Sequence, residues 1–184
     1  GYRILITGGT RTGKTTLLSA LCNYLPGAWR IVKIEDPEEI WIDRKTVQTI
    51  EARQKVVGSE VPAYTLADGV DDAMRMSPDY LILGEVRDGF AAMALLRAFM
   101  TGHAGSCTLH ADGPAEALER LSTLLGSEKN VEGSRHRIEG ENRRAVLLRA
   151  AALGGELDVV GRRPGPLRDA RDRRALHREL GRRR

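Results

Sequence analysis

Cysteine is nearly absent from this sequence. Its two copies in 184 residues, Cys22 and Cys107, are too few for a disulfide framework or a cysteine-based zinc site, and they suggest a reducing compartment. Both fall on apolar faces of their segments and read as core residues. No run of 18 or more apolar residues occurs, so no transmembrane segment is expected. The first strand-like stretch begins two residues into the chain, with no charged leader and apolar signal core before it. The sequence is therefore expected to be part of something longer, or to lack an N-terminal part.

What is present suits one compact domain with an appendage. Hydrophobic residues make up 41% of the chain and charged residues 29%, enough for a core and too apolar for wholesale disorder. The formal net charge of +4 is unevenly spread. Residues 1–125 carry 13 basic and 16 acidic side chains, a net of −3, and the remainder carries +7. The basic excess therefore belongs to the last third, and no direct nucleic-acid binding is expected of the acidic body. In residues 161–184 arginines alternate with aspartates and no aromatics are interleaved, which reads as a flexible, solvated tail.

Up to residue 125, strands and helices alternate. Residues 3–7 (RILIT), 30–35 (RIVKIE), 46–51 (TVQTIE), 80–83 (YLIL) and 106–109 (SCTL) read as strands. Leu17, Leu18, Leu21, Cys22 and Leu25 recur at helical spacing from Gly13, and Pro26-Gly27 ends that helix. Thr65 with Asp68 three residues on forms a capping box before a helix that stops at Ser77-Pro78-Asp79. Residues 90–100 and a segment opening at Pro114 are the remaining clear helices. Such alternation predicts an α/β fold with a doubly wound, mostly parallel sheet, whose ligands sit at the carboxyl ends of its strands. Beyond residue 125 the pattern weakens. A helix is expected over residues 142–153 and a short strand over 156–160. The expected division is a body at 1–125, an appendage at 126–160 and the tail at 161–184.

The first strand runs into Gly8-Gly9-Thr10-Arg11-Thr12-Gly13-Lys14-Thr15, which fits GxxxxGK(S/T) in its required place between a strand and a helix. Glycines let the loop turn tightly and aim N–H groups inward at phosphate oxygens. The helix N-terminus adds partial positive charge. Lys14 is expected to reach the β- and γ-phosphates of ATP, the Thr15 hydroxyl to ligate Mg²⁺, and the loop with Thr16 to bind the nucleotide. Two acids stand at strand ends: Glu35 before Asp36-Pro37, and Glu85 after Gly84. Hydrolysis needs a carboxylate near Mg²⁺ and a group that orients water, and two separate acids can divide those tasks.

Four segments carry a family resemblance: GGTRTGKTTLL, IVKIEDPEEI, RMSPDYLILGEVRDG and TGHAGSCTLHA. In order and spacing they resemble the Walker A, Asp, Walker B and His boxes of the type II/type IV secretion-system ATPases. The conjugation, type IV secretion and tight-adherence pilus branch is the nearer likeness. The resemblance covers about residues 2–121 and implies a RecA-like P-loop ATPase domain. By it, Glu35 positions or activates the attacking water, Glu85 is the Walker B acid near Mg²⁺, and His110 senses the γ-phosphate. His110 does so if its strand lies between the two Walker strands, and His103 would help shape the same edge. Arg53, Arg75 and Arg87 are candidates to answer the charge of phosphoryl transfer, with Arg87 placed among the catalytic residues. Asp79 and Asp88 are the alternative partners of Arg75 and Arg87.

The resemblance further implies a ring hexamer, docked on an inner-membrane secretion or pilus complex at the cytoplasmic face of the membrane. ATP hydrolysis there would drive export or assembly. Family members ordinarily carry an N-terminal domain that clamps the nucleotide, for which this sequence has no counterpart. A truncated nucleotide-binding domain without sustained turnover, and another RecA-like, DNA-handling ATPase, are the alternative readings.

Overall fold

Short β-branched runs and amphipathic helices wind into one sheet in the computed structural model, which describes residues 2–58, 60–127, 145–149 and 159–160. The elements are β1 (Arg3–Gly8), α1 (Lys14–Asn23), β2 (Ile31–Glu35), β3 (Val47–Glu51), α2 (Leu66–Arg75) and β4 (Tyr80–Leu83). They continue with α3 (Gly89–Met100), β5 (Gly105–His110), α4 (Pro114–Ser127), β6 (Ala145–Arg149) and β7 (Val159–Val160). The strand order is β3-β2-β4-β5-β1-β6-β7. Every neighbouring pair is parallel except β6 with β7. The expected α/β, doubly wound and mostly parallel sheet is what forms.

Each face of the sheet has its own core. Val32, Ile34, Leu81, Leu83, Cys107 and Leu109 pack beneath α2, α3 and α4. Ile6, Ile31, Tyr80 and Ile82 pack beneath α1 together with Ile40 and Ile42 of the segment joining β2 to β3. Each such fully buried aliphatic side chain stabilises the fold by about 1.5–3 kcal/mol. The two cysteines lie one in each core, and burial pushes their thiols up to about 11 for Cys22 and about 12 for Cys107. Thr65 and Asp68 form the expected capping box at the start of α2.

One expectation fails. Residues 145–149, expected to be helical, form β6 and pair in parallel with β1 from Arg3↔Ala145 to Thr7↔Arg149. A short apolar run does not by itself tell helix from strand. Here the free edge of β1 decides, because its unpaired N–H and C=O groups gain a full ladder. The strand expected at 156–160 is described at Val159–Val160. The tail at 161–184 lies outside the described residues.

Gly105 shows why the β4–β5 contact is close. A Cβ on it would lie 2.3 Å from the Leu81 carbonyl oxygen and 3.1 Å from the Phe99 ring. Gly105→Ala is therefore expected to lower stability by about 1–3 kcal/mol through overpacking. Urea unfolding measures this, and an alanine variant as stable as the parent would show that the two strands are not so tightly apposed.

Candidate functional site

Parallel pairing brings the carboxyl ends of β1, β5, β4 and β2 to one edge, and the phosphate-type loop rises from the first of them. Gly13, the N-cap of α1, has φ 86° and no side-chain cap hydrogen bond. By contrast, Thr65 caps α2 and Asp88 caps α3. The first amides of α1 are thus left for an external acceptor, the arrangement that suits an anion. Arg11 in the same loop takes φ 62°, a left-handed conformation that costs a non-glycine residue roughly 1–2 kcal/mol. Thr12 braces the turn by donating its hydroxyl to the Gly9 carbonyl at 2.9 Å.

Lys14 folds back over this loop, donating to the carbonyls of Gly8 at 3.0 Å and Gly9 at 2.7 Å. Burial lowers its pKa from 10.5, partly opposed by the charge of Glu85. Glu85, just past β4, therefore lies within electrostatic reach of the lysine. Thr15 and Thr16 stand in the first turn of α1, Thr15 half-buried and Thr16 exposed.

β5 lies between β1 and β4, so its last residue, His110, faces the loop. The His110 ring nitrogen Nε2 is 3.1 Å from the Thr10 hydroxyl. Thr108, two residues earlier, donates its hydroxyl to the Gly84 carbonyl at 2.6 Å, and its backbone carbonyl accepts from the Val86 amide at 2.9 Å. It thereby ties the Glu85 turn to β5.

The Glu85 carboxylate accepts from Arg87 Nε at 2.6 Å, and Arg87 Nη1 lies 4.0 Å from Asp36. The hydrogen bond to Glu85 is the main reason Arg87 is held more firmly protonated than usual. With Arg87 half-exposed, such a pair is worth about 0–1 kcal/mol and is readily exchanged.

Glu35 is placed differently. It ends β2 with 2% exposure. Its Oε1 accepts from the amides of Glu39 at 3.0 Å and Ile40 at 2.8 Å, and its Oε2 from Lys33 Nζ at 3.0 Å. It also abuts β4, since a Cβ on Gly84 would meet Glu35 Cγ at 3.1 Å. Breaking a buried pair of this kind costs about 3–5 kcal/mol.

The structure thus gathers Lys14, Thr15, Glu85, Arg87, His110 and Glu35 at one edge. Arg53, just past β3, is on that edge too and donates to the Pro62 carbonyl at 3.2 Å. Arg75 is not, because it ends α2 ahead of the amino end of β4, where it pairs with Asp72 at 3.4 Å. Neither alternative aspartate pairs as expected: Asp79 accepts from the Arg30 amide and Asp88 caps α3. His103 is the second correction. It precedes β5 and lines an open cavity with Trp29 and Asp79 at the amino edge. β5 begins two residues after it and ends at His110, which puts the two histidines roughly 20 Å apart at strand rise.

Lys33 and Thr108 were missed from the sequence. A lone lysine inside IVKIE, with glutamates two and five positions on, was the available signal for the first. Nothing marked the second.

The model of the family described as Type II/IV secretion system protein matches residues 2–140. The type IV secretion system protein PtlH of Bordetella pertussis is 34% identical over 133 residues, 72% of this chain and 39% of its own. The VirB11 ATPase of the Brucella suis type IV secretion system, solved with sulphate, has a TM-score of 0.68 at 21% identity. That match covers 86% of this chain and 47% of the other, and it shows the shared fold. The pilus retraction motor PilT, solved with ADP, has a TM-score of 0.64 at 25% identity over 98% of this chain and 51% of its own. The matched segment spans between 34 and 43% of the length of the first curated relatives.

The lowered pKa of Lys14 has a measurable consequence. A phosphate bound beside it favours the ammonium form and raises that pKa again. Between the two values the lysine is neutral when free and charged when bound, so binding takes up a proton. Below both values it is charged in both states and the uptake fades. Calorimetry of ATP binding in buffers of different ionisation heat is expected to show proton uptake that grows as the pH rises above neutral. Binding with no such pH dependence would contradict a phosphate-binding role for Lys14.

Proposed function

Because the chain belongs to the type II/IV secretion system protein family, a family of secretion and pilus motor ATPases, we propose that it is the ATP-hydrolysing motor domain of a secretion, conjugation or pilus-assembly machine. The observation that carries this reading is the convergence of three strand ends. The lysine of the loop after β1, the carboxylate after β4 and the histidine ending β5 meet on adjacent strands. PilT, solved with ADP, supports a nucleotide as the ligand.

In this reading the uncapped amides of α1 and the loop cradle the phosphates. Lys14 exchanges the carbonyls of Gly8 and Gly9 for β- and γ-phosphate oxygens. Glu35, anchored beside Lys33, orients the attacking water. His110 reads the terminal phosphate through its contact with Thr10, and Arg87 releases Glu85 when the site fills. Mg²⁺ fits the donor set. Thr15 and Glu85 offer the oxygen ligands it prefers, and the bound phosphates and water would supply the rest. When bound it would neutralise charge on the β- and γ-oxygens.

The same reading places the chain as the catalytic part of a ring hexamer at the cytoplasmic face of an inner-membrane complex. Among the described residues no helix is long and apolar enough to cross a membrane. Arg53 and Arg87, the candidate arginines on the nucleotide edge, are the ones placed to act within or between subunits.

Two variants test the proposal. Lys14→Ala is expected to abolish both ATP binding and hydrolysis. Glu35→Gln is expected to bind ATP with little change while turnover falls by about 10²-fold or more. Phosphate release and equilibrium binding read the two effects, and unchanged turnover in both variants would remove the proposal.

A further inference from the structure

A lysine in the middle of a buried strand needs a reason, because burying its charge unpaired is costly. Lys33 and Glu35 leave β2 on the face covered by α1 and the β2–β3 segment, the face of Ile31 and not of Val32 and Ile34. Their side chains are 4% and 2% exposed. Lys33 Nζ donates to Glu35 Oε2 at 3.0 Å and to the Ile40 carbonyl at 2.7 Å, and it also contacts Glu38 Oε1. An ammonium has three protons, and all three are used. Its hydrogen bond, aided by its charge, also holds the exposed Glu38 below the usual carboxylate range.

The count on Glu35 is more telling. A carboxylate has about four acceptor positions. Two on Oε1 are taken by the Glu39 and Ile40 amides and one on Oε2 by Lys33. Among the described residues nothing takes the remaining position, on Oε2. Ile40 closes the ring, giving its N–H to Glu35 and its carbonyl to Lys33. The carboxylate therefore cannot rotate without breaking contacts on both oxygens, and the Glu35 side chain packs at its Cγ against the Gly84 position, one residue before Glu85.

We infer that Lys33 is the positioning residue of the hydrolytic site, clamping Glu35 through Ile40 so that a single acceptor on Oε2 remains to orient one water. The inference rests on the reading of Glu35 as the water-orienting acid. It goes beyond it in making a buried strand lysine, two residues before that acid, the determinant of its geometry. Glu38 completes the lysine's shell from the solvent side and has no part in orienting Glu35.

The test uses the full chain and four variants: Lys33→Met, Glu35→Gln, the double variant Lys33→Met/Glu35→Gln, and Glu38→Gln. Amide hydrogen exchange followed by NMR reads the clamp without reference to turnover. In Lys33→Met the Glu39 and Ile40 amides are expected to exchange about tenfold faster or more, while β4 and β5 amides stay protected. Steady-state turnover and equilibrium ATP binding read the consequence. Lys33→Met is expected to lose about tenfold or more in kcat, with its ATP affinity within about twofold of the parent. The double variant is expected to match Glu35→Gln, since a residue that acts only through another adds nothing once that other is gone. Glu38→Gln is expected to retain both kcat and the Glu39 and Ile40 protection.

Parent-like exchange at Glu39 and Ile40 in Lys33→Met would overturn the inference, as would a double variant clearly slower than Glu35→Gln. Should Lys33→Met not fold, comparison of the double variant with Glu35→Gln decides alone, because neither contains the uncompensated carboxylate. A parent chain that hydrolyses no ATP sinks the functional reading, and the exchange data still decide the clamp.

Discussion

β5 is hydrogen-bonded in parallel to β1 along all six of its residues and to β4 along three, and the chemistry of the molecule hangs on that pairing. It sets Gly8 beside His110 and brings the turn after Leu83 to the same edge. Without it, Lys14, Glu85 and His110 would be widely spaced residues with no common site. The close approach of Gly105 to Leu81 is the packing side of the same constraint. A side chain there would push β4 away from β5 and carry Glu85 away from the loop.

A second feature is that the site compensates its own charges. Lys14 rests on carbonyls of its loop and Glu85 on Arg87. These partners are exchangeable, since the loop carbonyls are neutral and the arginine is half-exposed. Glu35 is different, because its partners are buried and lie in one short segment. The site therefore combines one rigid carboxylate with a lysine and a second carboxylate that can change partners. That division suits chemistry in which a water must be held still while phosphates come and go.

Much of this was legible in the sequence, for identifiable reasons. The loop is readable because its glycines, lysine and threonine have to sit at fixed spacing between a strand and a helix. The α2 cap is readable because Thr65 and Asp68 satisfy each other locally. The strand order that puts His110 next to the loop entered through the family resemblance, and nothing local encodes it. What stayed hidden depends on non-local contact. Residues 145–149 form a strand because the edge of β1 is open to them. Gly105 is required by a carbonyl 24 positions earlier in the chain. His103 is near His110 in sequence yet at the opposite edge, since a whole strand lies between them. Lys33 could be read as a surface alternation until both faces of β2 were seen to be covered.

The central claim is that the ends of β1, β4 and β5 form one nucleotide site in which His110 distinguishes the terminal phosphate. NMR titration with Mg²⁺ and either ADP or a non-hydrolysable ATP analogue addresses it directly. Amides of residues 9–16 should shift with both nucleotides, and the His110 ring nitrogens should shift strongly with the triphosphate alone. Loop amides that ignore both nucleotides, or a His110 ring that responds identically to the two, would contradict the account.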